Sequence, residues 1–396
     1  MSKSKGNVVN PWDHFNKEGT DAIRWYMTSQ SAPWNPMNFD PNGVRETYAK
    51  MFLTLWNVHK FHLDYAILDN FDYNKDFIAV GKRNALDRWI LSRVSTVAEN
   101  YHNQYISWEF HKAARELENF VINDLSNWYV RRSRRRLWDE ADSHDKQACQ
   151  FTLHEVLLTV SKLMAPVAPY MPDKIHFDLT GTSVHMADWP IGSDLVSKDL
   201  PPQDLDLENR MSIVRMLAET GRKIRVEAKR RQRLPCKEGW IVGGPDLSEF
   251  HSIIAEELNV EKLTTENNLD RFQKIEILPN HKVLGAKCRA ELPKVLSELS
   301  QSEPDVLLSE IKEGKAKLAG FDITMEDINI KRVEKEGYAA STFDMEEIGD
   351  ISLVLDVEIT EDLISKGLAR EITRRIQSKR KAVSYTHLRA HETLLY

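Results

Sequence analysis

Residues 124–138 read DLSNWYVRRSRRRLW, with five arginines in the six positions 131–136, directly after a Trp-Tyr pair and Val130. The 396-residue chain has a formal charge of −6, so this positive density is a local feature. Apolar residues before it, from Trp108 through Phe120, Leu125 and Trp128, recur at helical spacing and carry the stretch into the cluster as one helix. On such a helix Arg131 and Arg135 share a face, as do Arg132 and Arg136. Two readings are open. Asp124, Asp139 and Glu140 would neutralise part of the cluster, leaving arginines that tie helices together. Alternatively, the guanidinium groups form a surface for a polyanion, with aromatic neighbours to stack on splayed bases.

Outward from this helix the same periodicity continues. Tyr48, Phe52, Leu55 and Val58 recur at three- and four-residue spacing, and Leu86, Ile90, Val94 and Val97 form one stripe within 84–103. Residues 151–171 are apolar on most sides and stop at Pro166 and Pro169. Four long helices separated by short breaks predict an α-helical bundle. The first 45 residues are loop-rich, with one short helix for which Thr20 is the expected N-cap. A polar connector at 190–202 leads into a basic helix over 208–235, ended by Pro235. Beyond it, residues 239–244, 274–285, 322–333 and 352–360 read as strands, interleaved with helices such as 247–259. The last helix, 360–381, carries a narrow apolar stripe of Ile364, Leu368, Ile372 and Ile376. The expected fold class is mainly α, a helical bundle followed by a small α+β domain.

Composition sets the remaining bounds. Hydrophobic residues make up 41% and charged residues 29%, an ordinary soluble balance. No apolar run approaches the roughly 20 residues of a membrane span, and the start lacks a signal peptide's apolar core. Cys149, Cys236 and Cys288 form no CxxC pair, which fits a reducing, cytoplasmic setting. Residues 211–236 carry eight Lys and Arg against two Glu, whereas 297–362 carry eighteen acidic against six basic side chains. Such asymmetry directs a polyanion to the middle of the chain and away from its acidic end. His59 and His62, a helical turn apart, have only Asp64 as a nearby carboxylate, so a core or surface role is expected over metal binding. No Ser-His-Asp or Cys-His set and no glycine-rich phosphate loop is identifiable.

MSKSKGN at 1–7 runs straight into VVNPWDHFNKEGTDAIRWYMTSQSAPWNPMNFD at 8–40. That succession resembles the segment beginning in the KMSKS loop of class I aminoacyl-tRNA synthetases, and within them it is most similar to the isoleucyl-tRNA synthetases. DLSNWYVRRSRRRLW resembles their anticodon-domain helix. LDRWILSR (86–93), SVHMADWP (183–190), HKVLGAKCRAELPKV (281–295) and LAREITRRIQ (368–377) match in the same order. Two departures stand out. The Lys that precedes the Met of the loop in the family is absent, so Met1 is expected to be an internal methionine of a longer enzyme. Its HIGH motif, most of its Rossmann-type catalytic domain and its editing domain would lie upstream. VSYTHLRAHETLLY at 383–396 breaks a helix that should continue and is expected to be a non-native tail.

The resemblance implies a division into a loop and stem-contact tail (1–45), an anticodon-binding bundle (46–200), a basic connecting helix (201–235), an α+β domain (236–382) and the tail (383–396). It implies ATP with Mg2+, isoleucine and tRNA(Ile) as reactants of a cytoplasmic, monomeric ligase. Met1, Ser2, Lys3 and Ser4 would meet ATP, with Lys3 the catalytic ammonium that steadies charge on the departing pyrophosphate. Trp128, Tyr129, Arg131, Arg132, Arg135 and Arg136 would meet the anticodon arm, with Tyr129 the better stacking candidate and Trp128 readable as core or as stacking. Arg222, Arg225 and Lys229 on the basic helix are readable as RNA contacts or as a solvated face. A valyl- or leucyl-tRNA synthetase is the alternative within the enzyme class. A non-catalytic tRNA-binding module, or a helical scaffold with arginines paired to carboxylates, is the alternative outside it.

Overall fold

The computed structural model describes residues 9–75, 77–138, 143–191, 200–312, 314, 316–345 and 348–382. The chain divides into two compact units, Met1–Met211 and Ser212–Tyr396.

The first unit is helical. In order come α1 (Trp12–Phe15), α2 (Thr20–Ser29), α3 (Pro41–Thr47), α4 (Leu53–Leu68), α5 (Ala85–Ile106), α6 (Phe110–Asn119), α7 (Arg131–Trp138), α8 (His144–Met164) and α9 (Met171–Thr180). The unit boundary falls within α10 (Leu205–Glu227). The expected bundle is observed: α5 packs on α6 and α8, α8 on α9, and α2 on α6. The stripe Leu86, Ile90, Val94 and Val97 is buried, as are Phe52, Leu55 and Val58. Side-chain caps fix the helix starts. Asn84 accepts from the Asp87 amide at the head of α5, and Ser143 from the Lys146 amide at the head of α8. Thr20 is corrected from N-cap to first helical residue, because Gly19 takes the cap position at φ +86°. The neighbouring Asp21 has a different task. Its buried carboxylate accepts from the backbone amides of Tyr170 and Met171 at the start of α9.

The helix expected from Trp108 into the arginines is continuous from Phe110, but its middle, Phe120–Val130, is wound as a π-helix between α6 and α7. The wider winding turns Trp128, Tyr129 and Val130 inward together.

The second unit is α+β, as expected. Its main sheet has the order β2-β1-β8-β7, from β1 (Cys236–Val242), β2 (Val260–Glu266), β7 (Tyr338–Met345) and β8 (Gly349–Asp356). β1 and β2 are parallel, joined through α11 (His251–Leu258), while β8 lies antiparallel to both β1 and β7. A second sheet pairs β3 (Gln273–Pro279) antiparallel with β6 (Ile328–Glu334), and β4 (Lys317–Leu318) pairs with β5 (Phe321–Asp322). Around it lie α12 (His281–Cys288), α13 (Leu292–Gln301) and α14 (Pro304–Lys312), whose Leu284, Val295, Leu299 and Leu307 build a core with Ile323 and Ile328. The strand expected over 274–285 ends at Pro279, and 281–288 is helix. The chain closes on α15 (Glu361–Ala382).

Candidate nucleic-acid interface

α7 begins where the π-segment ends, and helical geometry sorts its residues. At about 100° per residue, Arg131, Arg134, Arg135 and Trp138 fall within one arc of roughly 100°. All four are exposed, whereas Ser133 and Leu137 on the opposite side are buried. Arg132 and Arg136 sit at the flank and are half-buried.

The inward side is an ion-pair and hydrogen-bond network. Asp87, on the first turn of α5, is 0% exposed. Its Oδ1 accepts from the Tyr129 hydroxyl at 2.6 Å and from Arg136 Nη1 at 2.8 Å, and its Oδ2 accepts from Arg136 Nη2 at 2.7 Å. The rest of the Arg136 fork reaches α8, with Nε donating to Asp145 Oδ2 at 2.7 Å and Nη2 to Asp145 Oδ1 at 2.9 Å. One guanidinium therefore bolts α7 to the N-terminal turns of α5 and α8, where carboxylates are already favoured by the helix dipoles. Burial works against the charge of Arg136, but its hydrogen bonds to Asp87 outweigh that effect and the group stays protonated. Burial also raises the Tyr129 phenol far above its ordinary range and pushes the Cys149 thiol up to about 11.

These contacts correct several expectations. Tyr129 is 0% exposed and has no face to offer a base. Trp128 is 6% exposed, and the Arg132 guanidinium lies over its ring at 4.7 Å from the centroid. Arg136 performs the role of an arginine paired internally by carboxylates. Arg131 is exposed, with its Nε bonded to the Asn127 carbonyl. Arg134 and Arg135 are exposed and enter no ion pair among the described residues. Arg134 and Trp138 escape the sequence reading, although the buried Ser133 and Leu137 spacing marks the face they share. Asp139 and Glu140, expected as neutralising groups, lie outside the described residues, as do Met1, Ser2, Lys3 and Ser4.

On the basic helix the picture is divided as well. Arg222 is exposed and pairs with Glu257 at 3.5 Å. Lys229 is exposed, in the left-handed region at φ +55° just past the end of α10. Arg225 is 1% exposed, and its expected RNA contact is corrected. It donates to the carbonyls of Leu258, Asn259, Leu234 and Arg231, over 2.6–3.5 Å.

Among the described residues no group of three or more His, Cys, Asp or Glu is placed to hold a metal. His59 and His62 are both buried, His59 Nε2 lying 3.0 Å from Asp178. The His62 ring is 5.9 Å from that of His154, on which Tyr73 stacks at 4.2 Å. Burial, with His154 and His59 nearby, lowers His62 to about 3; burial, with His176 nearby, lowers His154 to about 4. Both are neutral when folded and charge near their ordinary value when unfolded. Stability then falls as pH drops below about 6.5, continuing down to the folded values, by about 1.4 kcal/mol per unit for each histidine. Urea unfolding between about pH 6.5 and 4.5 is expected to show this slope, reduced in a His62→Leu/His154→Phe variant. An equal slope in both proteins would contradict it.

Residues 87–239 match the family described as the anticodon-binding domain of tRNA ligase. The chain is 35% identical over 390 residues to the isoleucine–tRNA ligase of Clostridium acetobutylicum, covering 96% of this chain and 37% of that one. It is 35% identical over 393 residues to isoleucine–tRNA ligase 2 of Bacillus cereus, covering 97% and 37%. The isoleucine–tRNA ligase of Clostridium novyi is 35% identical over 395 residues, with 96% and 37% covered. The chain thus spans little more than a third of the length of these curated relatives.

Proposed function

Because the chain carries an anticodon-binding domain of tRNA ligase and belongs with the isoleucine–tRNA ligases along its length, we propose that it binds the anticodon arm of tRNA(Ile) through the outward face of α7. One observation carries the reading. Within the matched domain, Arg131, Arg134, Arg135 and Trp138 form an exposed basic and aromatic face, while their neighbours Trp128, Tyr129 and Arg136 are consumed by the fold. Guanidinium forks suit phosphate oxygens, and an exposed indole suits an unstacked loop base. The net negative charge of the chain is no obstacle, since association follows the local field.

The whole ligase to which this reading assigns the chain activates isoleucine with ATP, as its Mg2+ complex, and transfers it to tRNA(Ile). Lys3 is the residue of this chain assigned to the ATP phosphates, and Met1, Ser2 and Ser4 to the loop around it. Buried free thiols at Cys149, Cys236 and Cys288 support a reducing, cytoplasmic setting.

Fluorescence anisotropy with labelled tRNA(Ile) transcript tests the proposal. Log affinity is expected to fall linearly with log salt, by roughly 0.7–0.9 per phosphate engaged. A transcript with a substituted anticodon is expected to bind at least tenfold more weakly, about 1.4 kcal/mol. Equal affinity for both transcripts would remove anticodon reading, and no binding at low salt would remove the proposal.

A further inference from the structure

We propose that the π-segment Phe120–Val130 is the positioning element that aims α7: it holds two residues more than a straight α-helix needs, and these turn Arg131 and Arg135 outward. That the outward face meets RNA rests on the reading above, but the aim itself is measurable without RNA. Burial, not residue type, reveals the excess. At about 3.6 residues per turn, an α-helix returns to the same azimuth roughly every eighteen residues. Continued as α-helix, α6 would therefore set Arg131, Arg132 and Arg135 in line with Ala113, Ala114 and Leu117, which are 0% exposed. The fold instead places Ser133 and Leu137 on the inward side, two positions further along, and leaves Arg131 and Arg135 exposed.

The winding accounts for the displacement. The Phe120 amide, at the entry to the segment, closes on the Glu116 carbonyl in the α pattern. At the exit the Arg131 amide closes on the Ser126 carbonyl, one residue further back. The wider ring takes about 4.4 residues per turn, or roughly 82° per residue against about 100°. Over the 11 residues of the segment the difference sums to about 200°, the angle that two residues of α-helix span. The excess also lets Trp128, Tyr129 and Val130 be buried in succession, whereas an α-helix spreads three successive residues over about 200°.

Neither end of the segment is free to turn. On the α6 side, Arg115 Nε donates to the Ser29 carbonyl at 2.5 Å and the Trp25 indole to Glu118 at 3.2 Å, which ties the helix to α2. On the α7 side, Arg136 pairs with Asp87 and Asp145. Between them, Asp124 accepts from Arg93 of α5 at 3.2 Å. Both helix faces are thus set by their own partners, and the winding between them must supply the angle. At this chain length an α-wound segment would drive Arg131, Arg132 and Arg135 into the core beside alanine and leucine, which the cost of burying charge forbids. The π-winding reconciles the two ends, and the face of α7 left over for a partner follows from it.

The test deletes two exposed residues of the segment, Asn123 and Asn127, from the full chain. The 11-residue segment then becomes one of nine, which spans about the same two and a half turns as α-helix. α7 is expected to keep its aim. A thiol introduced by Arg134→Cys should stay reactive and one introduced by Ser133→Cys protected, because Cys149, Cys236 and Cys288 are buried and contribute no background. Trp128 is expected to turn outward and lower the melting temperature. The salt slope for tRNA(Ile) should be unchanged, and Arg134→Ala/Arg135→Ala in the shortened chain should make it shallower by about 1.5–2. In a plain α-helix the same deletion turns everything downstream by about 200°. A reactive Ser133→Cys with a protected Arg134→Cys would therefore overturn the proposal. So would loss of cooperative unfolding in the shortened chain while an Asn123→Ala/Asn127→Ala variant folds. If the unaltered chain binds no tRNA(Ile), the RNA reading falls and the thiol pattern still decides the aim.

Discussion

Asp87→Ala is expected to lower the unfolding free energy of the helical unit by about 3–5 kcal/mol, the range for removing one partner of a buried ion pair. The carboxylate is fully buried and receives three hydrogen bonds, from the Tyr129 hydroxyl and both Nη atoms of Arg136. Its removal leaves the buried phenol with only the Cys149 sulfur, at 3.6 Å, to accept from it and strips half of the Arg136 fork, while Asp145 retains the remainder. Tyr129→Phe removes one hydrogen bond and leaves the ion pair, so its cost should be nearer ~1–2 kcal/mol. Urea melts followed by circular dichroism separate the two. A loss below about 1 kcal/mol for Asp87→Ala would mean that the network does not organise α5, α7 and α8.

The second large effect lies at Arg225. Its guanidinium makes five hydrogen bonds, all of them to four backbone carbonyls. Burial lowers its pKa from the ordinary arginine value. Arg225→Met keeps an unbranched stem in place of the aliphatic part of the side chain but leaves those carbonyls short of donors, at about 1–3 kcal/mol for each buried group left unsatisfied. The expected loss is at least about 3 kcal/mol in the second unit. Arg225→Lys restores charge but not the planar fork, and should recover only part of it. Full stability in the lysine variant would show that charge alone suffices there.

What can be read from the sequence follows from which signals are local. Periodicity locates the bundle, because Leu86, Ile90, Val94 and Val97 must bury one face whatever their partners are. The change to β structure after Pro235 is equally plain in the strand-like segments at 239–244 and 352–360. The division of labour inside 124–138 is not. The resemblance marks Tyr129 and Arg136 as RNA contacts, yet Asp87, more than forty positions earlier, decides that both turn inward. The π-winding that rotates them has no pattern of its own in a single sequence. Arg225 misleads for the same reason: its partners are carbonyls, which every residue has and no residue type announces. The stripe on α15 is visible as a pattern, but only the fold shows that it stays exposed beside Arg374 and Arg375.

The arginine helix has one face for the fold and, by the proposed reading, one for RNA. That division is tested most directly by the salt dependence of tRNA(Ile) binding in an Arg134→Ala/Arg135→Ala variant. The expected result is an unchanged urea midpoint and a slope of log affinity against log salt shallower by roughly 1.5–2, as two phosphates go unneutralised. An unchanged slope and affinity, with the fold intact, would contradict it and return the outward arginines to solvent.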